Sequence, residues 1–262
     1  MDNLKWTGER VIPTMEDANL IEHLHRYSFA STLVTDKIVL DIASGEGYGS
    51  NILAKNAKTV YGVDIDHDAI NHAKKKYLKN NLNYLQGSAD QIPLNDDTID
   101  IAISFETIEH LENHEGMCLE LKRVLKPEGL LLISSPEKGI WDDNHFHVKE
   151  LTNDEFKHLM QKYFKNTSFF HQKTVMGSMI VPQDKLKAKF SYHEGNAAAL
   201  ENHITLKNPV FNICIASDAK IDQLDISFFD GEQILRNHMT LPYRNSKIFR
   251  ITNWAKNIFN TK

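Results

Sequence analysis

A chain of 262 residues is long enough for one large α/β domain with additions at its ends. Hydrophobic residues make up 41% and charged residues 25%, values that exclude a disordered or fibrous chain. The net charge is −5, yet residues 233–262 hold six basic residues and no acid. With that +6 set aside, residues 1–232 carry −11, which argues against a nucleic-acid coat.

The opening Met1-Asp2-Asn3-Leu4-Lys5-Trp6 has no signal-peptide apolar stretch, and no apolar run approaches the ~20 residues of a membrane helix. A soluble, cytoplasmic chain is expected. Asp17–Val34 reads as a helix ahead of the first strand. Lys37–Ala43, Thr59–Asp64, Asn83–Gln86, Ile99–Phe105 and Gly129–Ser134 read as short apolar strands. Between them Gly49–Ala57, His67–Tyr77 and His114–Leu125 read as helices. Such alternation predicts a doubly wound α/β fold, with a parallel sheet covered on both faces. Thr152–Phe164 follows as a helix, opening with Thr152 and Glu155 at capping-box spacing. Thr167–Val175 and Phe211–Ala216 supply two more strands. Residues 176–209 between them are too long for a hairpin turn and read as a lid-like insertion. The expected organisation is a leader and helix at 1–36, a ligand-binding core at 37–217 and a basic extension at 218–262. Cys118 and Cys214 are the only cysteines, too few for a disulfide framework or a thiolate zinc site.

The segment Asp41-Ile42-Ala43-Ser44-Gly45-Glu46-Gly47-Tyr48-Gly49 runs from a strand through glycines into a helix. Its Gly-x-Gly-x-Gly spacing differs from the Gly-x-Gly-x-x-Gly of dinucleotide sites. Asp41 and Glu46 flank the loop, where they would repel a pyrophosphate and attract a ligand bearing sulfonium and ammonium groups. Asp64 ends the second strand, 19 residues after Gly45, where a carboxylate accepts both hydroxyls of a ribose.

These motifs resemble those of class I, type 11-like S-adenosylmethionine (SAM)-dependent methyltransferases, over roughly residues 20–216. The resemblance implies a seven-stranded Rossmann-like sheet and SAM as cofactor. It assigns Asp41, Ala43, Gly45, Glu46 and Gly47 to the methionine part and Asp64 to the ribose, with Ile65 a further cofactor contact. Gly87-Ser88-Ala89-Asp90-Gln91-Ile92-Pro93 resembles the adenine-binding turn, with Ser88 where the family pattern has Asp. Ala89 can offer its backbone N–H there, and Asp90 is close enough to replace the missing carboxylate. Phe105 and Tyr27 complete the expected cofactor contacts.

Ser104-Phe105-Glu106-Thr107-Ile108-Glu109-His110-Leu111 follows the fourth strand. In a helix, Glu106, Glu109 and His110 would share one face. His110 is then the expected catalytic base for a hydroxyl acceptor, with Glu106 or Glu109 orienting its ring. The same three residues are also good ligands for a divalent cation that would acidify the acceptor. The Glu-x-x-Glu-His pattern resembles that of small-RNA 2′-O-methyltransferases and ubiquinone-pathway O-methyltransferases, some of which hold a metal with it. In the RNA enzymes a further His precedes a Thr-initiated helix, and His147 stands in the comparable place here.

Trp6–Pro13, His23–Tyr27 and Phe146–Thr152 resemble segments of methyltransferases that act on cell-surface polysaccharides and sugars. That likeness predicts O-methylation of a sugar or glycan hydroxyl in envelope polysaccharide synthesis. A small-molecule acceptor, as in quinone or natural-product pathways, is the alternative, and a SAM-binding regulatory subunit without turnover is the non-enzymatic one. An RNA acceptor is disfavoured by the −11 of residues 1–232. Arg26 and Tyr27 are placed to reach the cofactor's carboxylate or the acceptor. Ile248, Ile251, Trp254, Ala255 and Ile258 fall at helical spacing in the basic tail, a pattern suited to weak contact with an anionic membrane surface or to docking on the protein itself.

Overall fold

The computed structural model describes residues 11–13, 18–140, 144–174, 178–182, 192–196, 199–203, 209–222, 224, 226–232 and 234–236. The basic tail helix and most of the leader therefore lie outside the described residues.

The elements follow in the order α1 (Ala18–Ser31), β1 (Ile38–Ile42), α2 (Tyr48–Leu53), β2 (Thr59–Asp64), α3 (His67–Lys76), β3 (Leu82–Gln86) and β4 (Ile99–Ser104). A 3-10 turn at Ile108–His110 leads to α4 (His114–Val124), β5 (Leu125–Pro136), α5 (Asn153–Tyr163) and β6 (Asn166–Thr174). Then come β7 (Ser178–Pro182), β8 (Tyr192–Asn196), β9 (Ala199–His203), β10 (Phe211–Ser217) and β11 (Ser227–Phe229).

Nine of these strands form one sheet in the order β11-β7-β6-β10-β5-β4-β1-β2-β3. The expected seven-stranded methyltransferase-type sheet is the block from β6 to β3, with β7 and β11 added at its edge. The block is mixed rather than wholly parallel. β3, β2, β1, β4 and β5 run parallel, and β10 runs antiparallel to both β5 and β6. Part of the 176–209 insertion is also sheet: β7 pairs with β6 from Phe170–Pro182 to Thr174–Ser178 and with β11 on its other side, so that stretch is a strand of the main sheet rather than a lid. β8 and β9 pair with each other apart from the main sheet.

Alternation along each strand fills two cores. Val39, Val60, Ile101, Ile103 and Leu132 face Leu53, Ile70 and the aromatic side of α1. Leu40, Ile42, Val63, Ala102 and Ile133 face Met117, Leu121, Phe156 and Met160 of α4 and α5. Each fully buried Leu, Ile, Val or Phe in these layers contributes about 1.5–3 kcal/mol against the entropy of ordering the chain. Asp66 caps α3 by accepting from Asp68 and Ala69 N–H, and Thr152 with Glu155 forms the expected capping box on α5. α2 stops at Leu53, short of the expected Ala57. There the Asn56 N–H turns back to the Leu53 carbonyl, and the Asp36 N–H holds the Asn56 carbonyl. No helix among the described residues is long and apolar enough to cross a membrane.

The parallel strands all end at one edge of the sheet. Loops after β1, β2, β3 and β4 consequently meet there, where open α/β sheets place their ligands. They wall a cavity of about 710 Å³ closed on its other sides by α1, residues 144–147 and Phe211.

Candidate active site

The glycine loop is built by backbone that turns left-handed three times, at Ala43 (φ 58°), Gly45 (φ 55°) and Gly47 (φ 94°). Gly47 has no room for a side chain: a Cβ there would lie 2.7 Å from Tyr84 Oη and 2.8 Å from Ala73 Cβ. Tyr84 also donates to the Gly47 carbonyl at 2.8 Å, pinning the loop to β3. Asp64, at the end of β2, accepts from the Gly45 N–H at 2.8 Å and the Asp66 N–H at 2.9 Å. Its two oxygens are thus fixed in orientation, and each keeps a lone pair for a ligand. Ala43, Gly45, Glu46 and Asp64 all line the cavity, as expected.

The two acids flanking the loop depart from expectation. Asp41 is buried and does not line the cavity. It lies behind the loop, accepting from Ser50 Oγ at 2.5 Å and Tyr27 Oη at 3.1 Å, and so ties α1 and α2 to β1. Glu46 lines the cavity, but its carboxylate is taken by Lys76 Nζ, by Tyr77 Oη at 2.7 Å and by His72 Nε2 at 3.1 Å. The charge argument therefore passes to Glu109, which lines the cavity beside His110.

Burial pushes the Asp41 carboxyl up to about 7, against the two hydrogen bonds that favour its charged form. In the unfolded chain the group ionises near ~3.9. The folded protein holds one more proton between these values. The stabilisation is complete below the unfolded value and is lost as pH rises through about 7. Asp41→Asn is expected to flatten that profile, gaining on the order of a few kcal/mol over the parent at pH 8 and almost nothing at pH 4. Urea unfolding across this range checks it, and parallel profiles for the two proteins would refute it.

At the far end of the strip Ile65 is 70% exposed on the cavity rim, and Gly87, Ser88 and Ala89 line the wall beside it. Asp90 does not reach the cavity. Ser88 Oγ holds its carboxylate outside, so it does not replace the carboxylate missing at Ser88. Phe105 lines the middle, edge-on to Tyr27 with ring centroids 5.3 Å apart.

The expected helical face after Phe105 is absent. Glu106 adopts a left-handed backbone (φ 52°) and only Ile108–His110 coil, as a 3-10 turn. That reversal sends the Glu106 side chain away from Glu109 and His110. It accepts from Ser134 Oγ at 2.5 Å and lies 3.5 Å from Arg26 Nη1. His147, the further candidate ligand that the resemblance implied, does meet Glu109 and His110. One donor atom from each of Glu109, His110 and His147 lies within 4.8 Å of the others. The segment carrying His147 is drawn in because the Glu109 carbonyl accepts from both Val148 and Lys149 N–H, at 2.9 and 3.0 Å.

Both imidazoles are oriented. His110 Nδ1 sits 3.0 Å from the Phe146 carbonyl and His147 Nδ1 2.5 Å from Glu150 Oε1. Each Nδ1 therefore carries the proton in the neutral ring, leaving the Nε2 lone pair as the reactive atom. His110 Nε2 is 3.9 Å from Glu109 Oε1. Two histidines anchored through Nδ1 and one buried carboxylate also form a donor set that fits a divalent transition-metal ion.

Several lining residues escaped the sequence reading. Asn19, Glu22 and His23 enter through α1, Asn144 through the loop after β5, and Phe211 from β10. His23 stood in the His23–Tyr27 segment and Phe211 at the head of a predicted strand, but neither setting pointed to the cavity.

Residues 40–133 match the family described as a methyltransferase domain. Over 165 residues the chain is 33% identical to a probable S-adenosylmethionine-dependent methyltransferase of Mycobacterium tuberculosis (strain CDC 1551 / Oshkosh), covering 60% of each protein. The chain thus spans about three-fifths of that relative's length. It is 29% identical over 120 residues to a fatty-acid O-methyltransferase of Mycolicibacterium smegmatis, covering 42% of this chain and 44% of that one. It is 31% identical over 104 residues to a ubiquinone biosynthesis O-methyltransferase of Rickettsia bellii (strain OSU 85-389), covering 39% and 43%. The fold is shared with a SAM-dependent methyltransferase of Thermotoga maritima (TM-score 0.54, 18% identity), over 75% of this chain and 89% of that one.

Proposed function

We propose that this chain, which carries a methyltransferase domain of the SAM-dependent class at residues 40–133, methylates a hydroxyl group of a sugar or glycan. The observation that carries the reading is His110: an imidazole with Nδ1 fixed by a carbonyl, in one cavity with the glycine loop and Asp64.

SAM supplies a methyl group on a sulfonium, an electrophile that needs no activation by the protein. Asp64 accepts the ribose hydroxyls with the lone pairs left by Gly45 and Asp66. Ile65, Ser88 and Ala89 flank the adenine, and the backbone of the 43–47 loop approaches the methionine part. His110 Nε2 would take the proton of the acceptor hydroxyl as its oxygen bonds the methyl carbon and the sulfur–methyl bond breaks, releasing S-adenosylhomocysteine as the neutral leaving group, with Glu109 supporting the positive ring. Phe105 and Tyr27 keep the line of transfer dry, where a competing water would otherwise react. Asn19, Glu22, His23, Arg26, Glu106 and Asn144 give the acceptor side polar partners suited to a hydroxyl-rich molecule.

The Glu109–His110–His147 group favours a second reading, in which those three residues hold a divalent cation that acidifies the acceptor hydroxyl. A methyl-transfer screen over nucleotide sugars, glycans and quinone-type phenols, run with and without exhaustive chelation, tests both. Turnover of a sugar that survives chelation and declines in acid is the expected result. Loss of turnover on chelation, restored by Mn²⁺ or Zn²⁺, would replace the unaided base with the metal. Turnover of the phenols alone would remove the sugar.

A further inference from the structure

Arg26 is 1% exposed and lines the cavity, yet only one of its three nitrogens has a partner among the described residues. Nη1 donates to Gln172 Oε1 at 2.9 Å and lies 3.5 Å from Glu106 Oε1. Nε and Nη2 make no hydrogen bond. These two atoms form the side-on edge of the guanidinium, two parallel N–H groups at the spacing of a carboxylate's oxygens. The plane is held in place, since Cζ lies 4.7 Å above the centre of the Phe211 ring and Gln172 is itself anchored to the Glu22 carbonyl at 3.1 Å. The Glu22 carboxylate does not serve the fork, being bonded by Thr174 Oγ1 at 2.7 Å. A rigid buried fork with two unanswered donors is costly to keep unless a ligand answers it.

The supports of the fork stand on strands remote from the glycine loop. These are β10 and β6, where Phe211 and Gln172 are cross-strand partners, and Phe211 pairs with Pro136 at the cavity end of β5. The glycine loop follows β1, which β4, β5 and β10 separate from β6; four strand spacings amount to roughly 19 Å. The guanidinium reaches from these supports to the Glu106 carboxylate, 3.5 Å from Nη1, at the end of β4.

We infer that Arg26 is a specificity-determining residue that binds a carboxylate of the acceptor, so that the substrate is an acidic sugar, a uronate, rather than a neutral one. This rests on the proposed methyl transfer to a sugar. A carboxylate is also present in the cofactor, and the experiment separates the two sources.

Binding of D-glucuronate, methyl D-glucuronate ester and D-glucose is measured by calorimetry on the full chain saturated with S-adenosylhomocysteine. The unmodified protein is expected to bind glucuronate at least tenfold more tightly than either neutral sugar, a comparison that requires no variant to fold. Arg26→Lys keeps the charge and loses the fork. It is expected to reduce that preference at least fivefold, with affinity for S-adenosylhomocysteine changed less than threefold. Equal binding of the three sugars by the unmodified protein would overturn the inference. So would a tenfold loss of S-adenosylhomocysteine affinity in Arg26→Lys that disappears with the decarboxylated analogue, because the fork would then belong to the cofactor. Discrimination among the sugars without any methyl transfer to them would uphold the carboxylate site and refute the proposed reaction instead.

Discussion

Replacing His110 with alanine is expected to lower kcat by about 10²–10⁴-fold, the contribution of a positioned general base. The size of the effect follows from how little else on the acceptor side can take a proton. Glu106 is engaged by Ser134 and Arg26 and is turned away by its left-handed backbone. His147 directs Nδ1 at Glu150, and its ring centre lies 5.3 Å from that of His110, so it reaches the same space from one side only. His147→Ala should therefore cost less than His110→Ala if a base acts alone, and as much if the two hold one cation. Single-turnover rates with cofactor affinity measured in parallel read this out. An His110→Ala protein that binds cofactor normally and retains kcat within threefold of the parent would sink the assignment of the base.

Asp64→Ala is expected to weaken S-adenosylhomocysteine binding tenfold to several hundredfold. Two charge-assisted hydrogen bonds to the ribose disappear, each worth at most ~1.5–3 kcal/mol, and water recovers part of that loss. A second contribution comes from the loop. Asp64 holds the Gly45 N–H, so the variant also releases a turn that would have to be ordered again on binding. Asp64→Asn keeps the shape but directs an NH₂ group at one of two backbone donors, and is expected to lose nearly as much. Calorimetry on variants with unchanged circular dichroism checks the pair, and parental affinity in both would remove Asp64 from the site.

What could be read from sequence was local and repetitive. The strand, glycine loop and terminal acid from Val39 to Asp64 lie within one β-turn-helix-β unit, where spacing alone decides which residues converge. The Thr152–Glu155 capping box is likewise decided by three residues of separation. His147 was placed near His110 through its position ahead of that helix. The failures share a different cause. Asp41 and Glu46 were judged by charge, but their hydrogen-bond partners come from α1, α2 and α3, up to 31 residues away. Glu106 was placed by helical periodicity, which a single positive φ abolishes. The fork of Arg26 depends on Gln172, 146 residues downstream, and no periodicity connects the two. Antiparallel β10 carried the same apolar run as its parallel neighbours, because burial on both faces dictates the same composition in either direction.

The position of β10 also sets an order on assembly during synthesis. β6 and β7 emerge from the ribosome before β10, yet they can join the sheet only through it. Until Phe211–Ser217 is made, β5 is left with one open edge and the β6–β7 ladder lacks the strand that joins it to the sheet. At about 5–20 residues per second the wait lasts seconds, long compared with the ~1–10 μs in which a hairpin forms. The first five strands thus constitute a half-molecule that must persist with an exposed border, a hazard for edge-to-edge aggregation. Because Phe211 is both the first residue of the missing strand and the platform beneath Arg26, this wall of the cavity is completed by the same event that closes the border. The nascent chain can thus present a glycine loop before the wall of the cavity at Phe211 exists.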